Sequence, residues 1–180
     1  YRHGICRSLS ISSTVGIVFQ QLKNQLLSGQ ISFNQALPQA LPELRGKIAD
    51  EKLLWLASEL QGYENAVAYY QTEDHGLPKY RIVAGGLRYM TPDGQITELK
   101  HPYAKRDHIF LSSPISWLEE FASYPGDQSL VEVPELTAFM GAGGGGVICQ
   151  CQKSELRRII ATFRNEFIAI LDKVGETSAP

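Results

Sequence analysis

The chain is poor in the features that assign a small protein to a class most quickly. It has only three cysteines, Cys6, Cys149 and Cys151, an odd number that a closed disulfide framework would not leave. At i and i+2 on a strand, Cys149 and Cys151 point the same way without being placed to bond each other. A reducing, cytoplasmic setting fits that usage better than secretion. No apolar run approaches the roughly 20 residues needed to cross a bilayer, and the first residues lack a signal-peptide core, so no membrane association is expected. Neither sign of charge dominates: 17 Lys and Arg against 19 Asp and Glu leave a net charge of −2. Nothing therefore pulls the whole molecule toward nucleic acid, although a local basic face would still allow contact. No repeat and no domain linker is present. The chain opens at Tyr1 instead of Met, which reads as a fragment or trimmed form of a longer protein.

What is present suffices for one domain with a proper core: 180 residues, 43% hydrophobic and 20% charged, an ordinary globular balance. The central stretch is Trp55-Leu56-Ala57-Ser58-Glu59-Leu60-Gln61-Gly62-Tyr63, followed after a variable span by Leu77-Pro78-Lys79-Tyr80-Arg81. At about 100° per residue, Leu53, Leu56, Leu60 and Val67 fall on one helical stripe with Ala57 beside it. Trp55, Glu59 and Gly62 project from the opposite side. That side is expected to be covered as well, with Gly62 letting another backbone come close, and the cover to include the returning Tyr80-Arg81. A buried Glu59 needs a charged partner. Arg81, with its bidentate fork, is the candidate. Pro78 pushes Leu77 toward extended geometry, so a strand carrying Tyr80 and Arg81 is expected to start there. The residues read first as a polar lock between helix and strand; a ligand-binding or catalytic role is the alternative, because both look the same in sequence.

Trp55-Leu56-x-x-Glu59-Leu60-x-Gly62-Tyr63 followed by Leu77-Pro78-x-Tyr80-Arg81 resembles the signature of the AbiTii domain, found in bacterial abortive-infection (phage-resistance) proteins. A preceding Ala- and Leu-containing helical run and the late Ser154-x-Leu156-x-x-Ile159-Ile160-x-x-x-Arg164-Asn165 helix extend the resemblance over residues 14–174. It implies a biological process, anti-phage defence, more than a reaction.

In chain order, Tyr1 to Ser13 has no steady period and reads as an irregular arm. A helix is predicted from Thr14, with Val15, Val18, Phe19, Leu22 and Leu26 at helical spacing until Ser28-Gly29. The series Ala36, Leu37, Ala40, Leu41, Leu44 and Ile48 follows. Pro38 and Pro42 interrupt it, which predicts a kink or two short pieces, with Pro42 in the first turn of the second. Asp50 is the expected cap of the signature helix. From Lys79 to Leu99 the texture is that of strands, with Thr91-Pro92-Asp93-Gly94 as the turn of a hairpin. A short strand is expected at Ile109 to Leu111, then a helix from Ser113-Pro114 through Trp117, Leu118 and Phe121 to Pro125-Gly126. Leu130 to Met140 is ambiguous, and Gly141 to Gly146 reads as a mobile loop. After a strand over 147–152, Ser154 opens the clearest amphipathic helix. Its stripe is Leu156, Ile159, Phe163, Phe167, Ile170 and Val174, with Arg157, Arg158, Arg164 and Lys173 on a solvated face. Residues 175–180 read as a tail.

Candidate chemistry is sparse. Asp93 with Glu98 and Lys100 has the residue types by which some nucleases hold Mg²⁺ and activate water, but Asp93 lies in the hairpin turn close to Glu98. Gly141 to Gly146 lacks the following helix and the Lys-Ser/Thr of phosphate-cradling loops. Cys149 and Cys151 lack the ligand spacing of zinc sites, and no metal or other cofactor is expected. The expected architecture is α+β: N-terminal helices, a small mostly antiparallel sheet, and a long C-terminal amphipathic helix. The resemblance implies a non-enzymatic interaction, sensor or oligomerisation module acting through a protein partner or self-association. The rival is a hydrolase of nucleic acid or nucleotide using acidic residues near Glu59, Asp93 and Glu98.

Overall fold

The computed structural model describes residues 10–140 and 143–177. Most of the expected arm, including Cys6, lies outside the described residues, as do Gly141, Ala142 and residues 178–180. The elements run α1 (Ser10–Leu27), α2 (Phe33–Leu44), α3 (Asp50–Gln61), α4 (Ala68–Gln71), β1 (Ile82–Met90), β2 (Ile96–Glu98), β3 (His108–Phe110), α5 (Ile115–Ser123), β4 (Gln128–Glu132), α6 (Pro134–Met140), β5 (Gly146–Gln152) and α7 (Lys153–Thr177). The fold is α+β, with a small antiparallel sheet and a long C-terminal helix. The described residues fall into two compact units, one of residues 10–60 with 163–177 and one of residues 61–162.

The first unit is helical. Phe19, Phe33, Phe163 and Phe167 are buried; Phe33 meets Phe163 edge-on at 4.9 Å and Phe163 stacks on Phe167 at 5.7 Å. Lys23 holds Asp172 at 2.8 Å, tying α1 to α7. The predicted stripe of α7 is buried apart from Ile170, which is half-buried, and α7 continues to Thr177, into the expected tail. α1 begins at Ser10, one turn before the expected start at Thr14, because serine costs a helix only a few tenths of a kcal/mol. α2 runs as one helix through Pro38 and Pro42, so the expected division into two short pieces does not occur. Both prolines lie on its exposed face, so the carbonyls that lose an N–H partner are left to water. The helix starts from Ser32, whose N–H donates to Gln35 Oε1 at 3.0 Å. Asp50 is not a cap: Ala49 accepts the first helical bonds, and Asp50 and Glu51 occupy the first turn, where they complement the helix dipole.

The second unit is built on a sheet in the order β2-β1-β5-β4, with β3 pairing β1. Leu87, Cys149 and Val131 form one cross-strand row and are fully buried. Gly85 is opposite Cys151; a Cβ there would stand 2.8 Å from the Gln150 carbonyl and 3.0 Å from Cys149 Sγ. The predicted hairpin forms, with Arg88 opposite Glu98 and Thr91 N–H bonded to the Gln95 carbonyl at 2.8 Å. The ambiguous stretch divides into β4 and α6, separated just before Pro134, a residue suited to a first helical turn. The strand expected at Pro78 does not begin there. Lys79, Tyr80 and Arg81 form a 3₁₀ turn, and β1 starts at Ile82.

Candidate functional site

Three signature residues in the second unit, Gly62, Tyr63 and Arg81, are organised around Leu111 to Pro114, which the sequence marked only as a strand end and a helix start. Gly62 has φ +95°, and a Cβ there would lie 3.0 Å from the Ser112 carbonyl and 3.3 Å from Pro114 Cδ. Tyr63 N–H donates to that same carbonyl at 2.9 Å. Arg81 is fully buried, and its Nη1 donates to the Leu111 and Ser113 carbonyls at 3.1 and 2.7 Å. The guanidinium lies 5.2 Å from the Tyr63 ring, and Tyr63 meets Phe110 edge-on at 5.5 Å. Pro78 contributes by turning the chain: its carbonyl accepts from Arg81 N–H at 3.1 Å. Tyr80 is held through its backbone, whose carbonyl accepts from Arg158 Nη1 at 3.1 Å, while Arg158 Nη2 reaches the Ile82 carbonyl at 2.7 Å. Arg158 thus anchors the start of β1, a correction to its reading as part of a purely solvated face. Gly62→Ala is expected to cost about 1–3 kcal/mol, from the left-handed backbone together with the close carbonyl. Urea unfolding of the purified variant measures this.

In the first unit, Glu59 is fully buried. It and Leu56 are the buried side chains of α3. Leu53 and Leu60 are half-buried, and Val67 lies beyond the helix, in the turn before α4, so the predicted apolar stripe is shorter than its spacing suggested. Trp55 is half-buried; Phe163 meets its ring at 5.4 Å and Lys52 Nζ lies 4.9 Å from it.

Of the alternative catalytic residues, Asp93 does not join Glu98 and Lys100. Asp93 is exposed in the hairpin turn, where it accepts from Thr91 Oγ1 and, at 2.9 Å, from Gln95 Nε2; the Thr91 bond holds its carboxyl below the usual range. Glu98 and Lys100 line a cleft of about 440 Å³ with Tyr89, Thr91, Thr97 and His101, and Asp93 does not. His101 Nδ1 accepts from Tyr103 N–H at 3.2 Å, so a neutral His101 carries its proton on Nε2. Among the described residues, no group of three His, Cys, Asp or Glu could hold a metal ion.

The glycine run leads into strand β5 and not into a helix. Gly145 packs so closely on Tyr89 and the Met90 carbonyl that a Cβ would overlap both, so this end of the run is a packed strand entry. Cys149 and Cys151 are buried free thiols. Their mutual hydrogen bond, with burial, raises the Cys149 thiol and, seen from its partner, lowers that of Cys151.

Sequence reasoning missed two polar sites. Lys153 is buried, with Nζ donating to the Tyr124 carbonyl and, at 2.7 Å, to the Gly126 carbonyl, closing the end of α5. Ser112 Oγ donates to Glu135 Oε2 at 2.6 Å. Glu135 Oε1, the Tyr70 hydroxyl and the Ser113 hydroxyl are buried without a hydrogen-bond partner. Burial pushes the Glu135 carboxyl above its ordinary range, opposed by the Ser112 bond. The folded state then binds more protons than the unfolded chain over the window between the ordinary and raised values. Stability is expected to fall as pH rises through that window. Glu135→Gln, which keeps an acceptor for Ser112, is expected to flatten this slope and to be at least as stable as the parent chain at pH 7. Urea midpoints from pH 4 to 8 test this; a less stable variant with an unchanged slope refutes it.

The fold and these contacts define an α+β protein with a deeply buried polar clasp. The sequence matches no protein-family model and no curated protein, and the structure matches no solved structure. Among the described residues, no helix is long and apolar enough to cross a membrane.

Proposed function

We propose that the chain is an AbiTii-like module of a bacterial abortive-infection system, acting in the cytoplasm as a non-enzymatic interaction, sensor or oligomerisation unit through a protein partner or a second copy. The observation that carries this reading is the use of Arg81: its Nη1 is committed to two buried backbone carbonyls, an arrangement that serves shape. The signature residues Gly62, Tyr63 and Arg81 order the Leu111 to Pro114 segment, and none of them lines the cleft that holds Glu98 and Lys100. The test is phage plating on bacteria expressing the chain in its native context. Protection is expected to survive Glu98→Gln and Lys100→Ala, and the purified chain is expected not to turn over DNA, RNA or nucleotides.

The second reading, a hydrolase, is favoured by the cleft itself, which Glu98, Lys100 and His101 line together with Thr91 and Thr97. Loss of protection in Glu98→Gln with an unchanged melting temperature would select it over the module.

A further inference from the structure

We infer that the first unit carries a binding site for a small anionic amphiphile, a molecule with one carboxylate head and a hydrocarbon tail. A groove of about 620 Å³ lies between the turn after α2, the start of α3 and the end of α7. Its volume falls in the range of small-molecule sites, about 300–1,000 Å³. Ile48, Ile170 and Val174 give it an apolar floor, and Lys47, Lys52 and Lys173 stand around it from three separate segments. No acidic residue lines the groove. The lysines are exposed. Lys47 Nζ donates to the Glu43 carbonyl at 2.8 Å and lies 3.9 Å from its carboxylate, and Lys52 Nζ lies 3.9 Å from Glu166 and 4.9 Å from the Trp55 ring; both ion pairs are solvent-exposed, where such contacts are worth little. Lys173 makes no ion pair among the described residues. Three cations around a groove that no described carboxylate lines complement an anionic head, and the apolar floor complements a chain of methylenes.

The experiment is calorimetric titration of the chain with sodium dodecanoate below its micelle concentration. Saturable one-to-one binding is expected, with inorganic phosphate giving none and dodecyltrimethylammonium binding at least tenfold more weakly. Lys173→Glu, at an exposed position, is expected to weaken dodecanoate binding at least tenfold without moving the melting temperature, and Ile170→Ala to weaken it from the floor. Absence of saturable binding, or binding indifferent to Lys173→Glu, overturns the proposal. So does a concentration-dependent dimer that Lys173→Glu dissolves, which assigns the groove to a second copy, or an acidic amphipathic peptide that dodecanoate cannot displace. Because the variants lie outside the signature, these outcomes are distinguishable from failure of the module reading in the plating assay.

Discussion

Arg81→Ala is expected to lower the unfolding free energy by about 3–5 kcal/mol, because it leaves two buried carbonyls without a donor and opens a cavity. Arg81 heads the largest fully buried side chains, and the two carbonyls that accept from its Nη1 are on the Leu111 to Pro114 segment. At about 2–4 °C per kcal/mol for a chain of this size, the melting temperature should drop by roughly 10 °C. Arg81→Met, closer in volume, should recover part of the cavity cost and none of the hydrogen bonding. Arg81→Lys should fall between, since a single ammonium cannot present the planar fork. A change below about 1 kcal/mol for Arg81→Ala would remove the clasp as an element of stability.

Glu59→Ala carries the second large effect, also about 3–5 kcal/mol, the loss expected when one charged group of a buried arrangement is deleted. Glu59→Gln should cost less, retaining shape and one acceptor. The expectation from the sequence that Glu59 and Arg81 neutralise each other is tested by a double-mutant cycle. A coupling of about 1 kcal/mol or more supports it, and additivity within about 0.5 kcal/mol leaves each residue with partners of its own. If Glu59→Ala leaves the melting temperature unchanged but abolishes phage protection, the residue is functional and the module reading loses its basis.

Several elements were legible because their signal is local. The stripe from Leu156 to Val174 has the helical period and, apart from the half-buried Ile170, is buried along α7. Thr91-Pro92-Asp93-Gly94 has the chemistry of a tight turn, and Gly94 takes φ +84° there. Gly62 was expected to admit a close backbone, and the one that comes nearest is Ser112 to Pro114. The misreadings share a different cause. Pro38 and Pro42 lie on the exposed face of α2, where the carbonyls they leave without an N–H can turn to water, and that exposure is not written in the local text. The 3₁₀ turn at Tyr80 and Arg81 depends on what Arg81 reaches, and Glu135 and Lys153 look like ordinary surface charges until their neighbours are known.

The amino-acid order alone determined the amphipathic helices, the hairpin and the α+β class, because periodicity, proline and glycine act within a few residues of themselves. Tertiary structure decided the rest. Arg81 finds its acceptors 30 and 32 residues along the chain, and Glu135 meets Ser112 across 23. Contacts between polar groups that distant depend on how the whole chain closes, and only that closure determines which charges are buried and which are left to water.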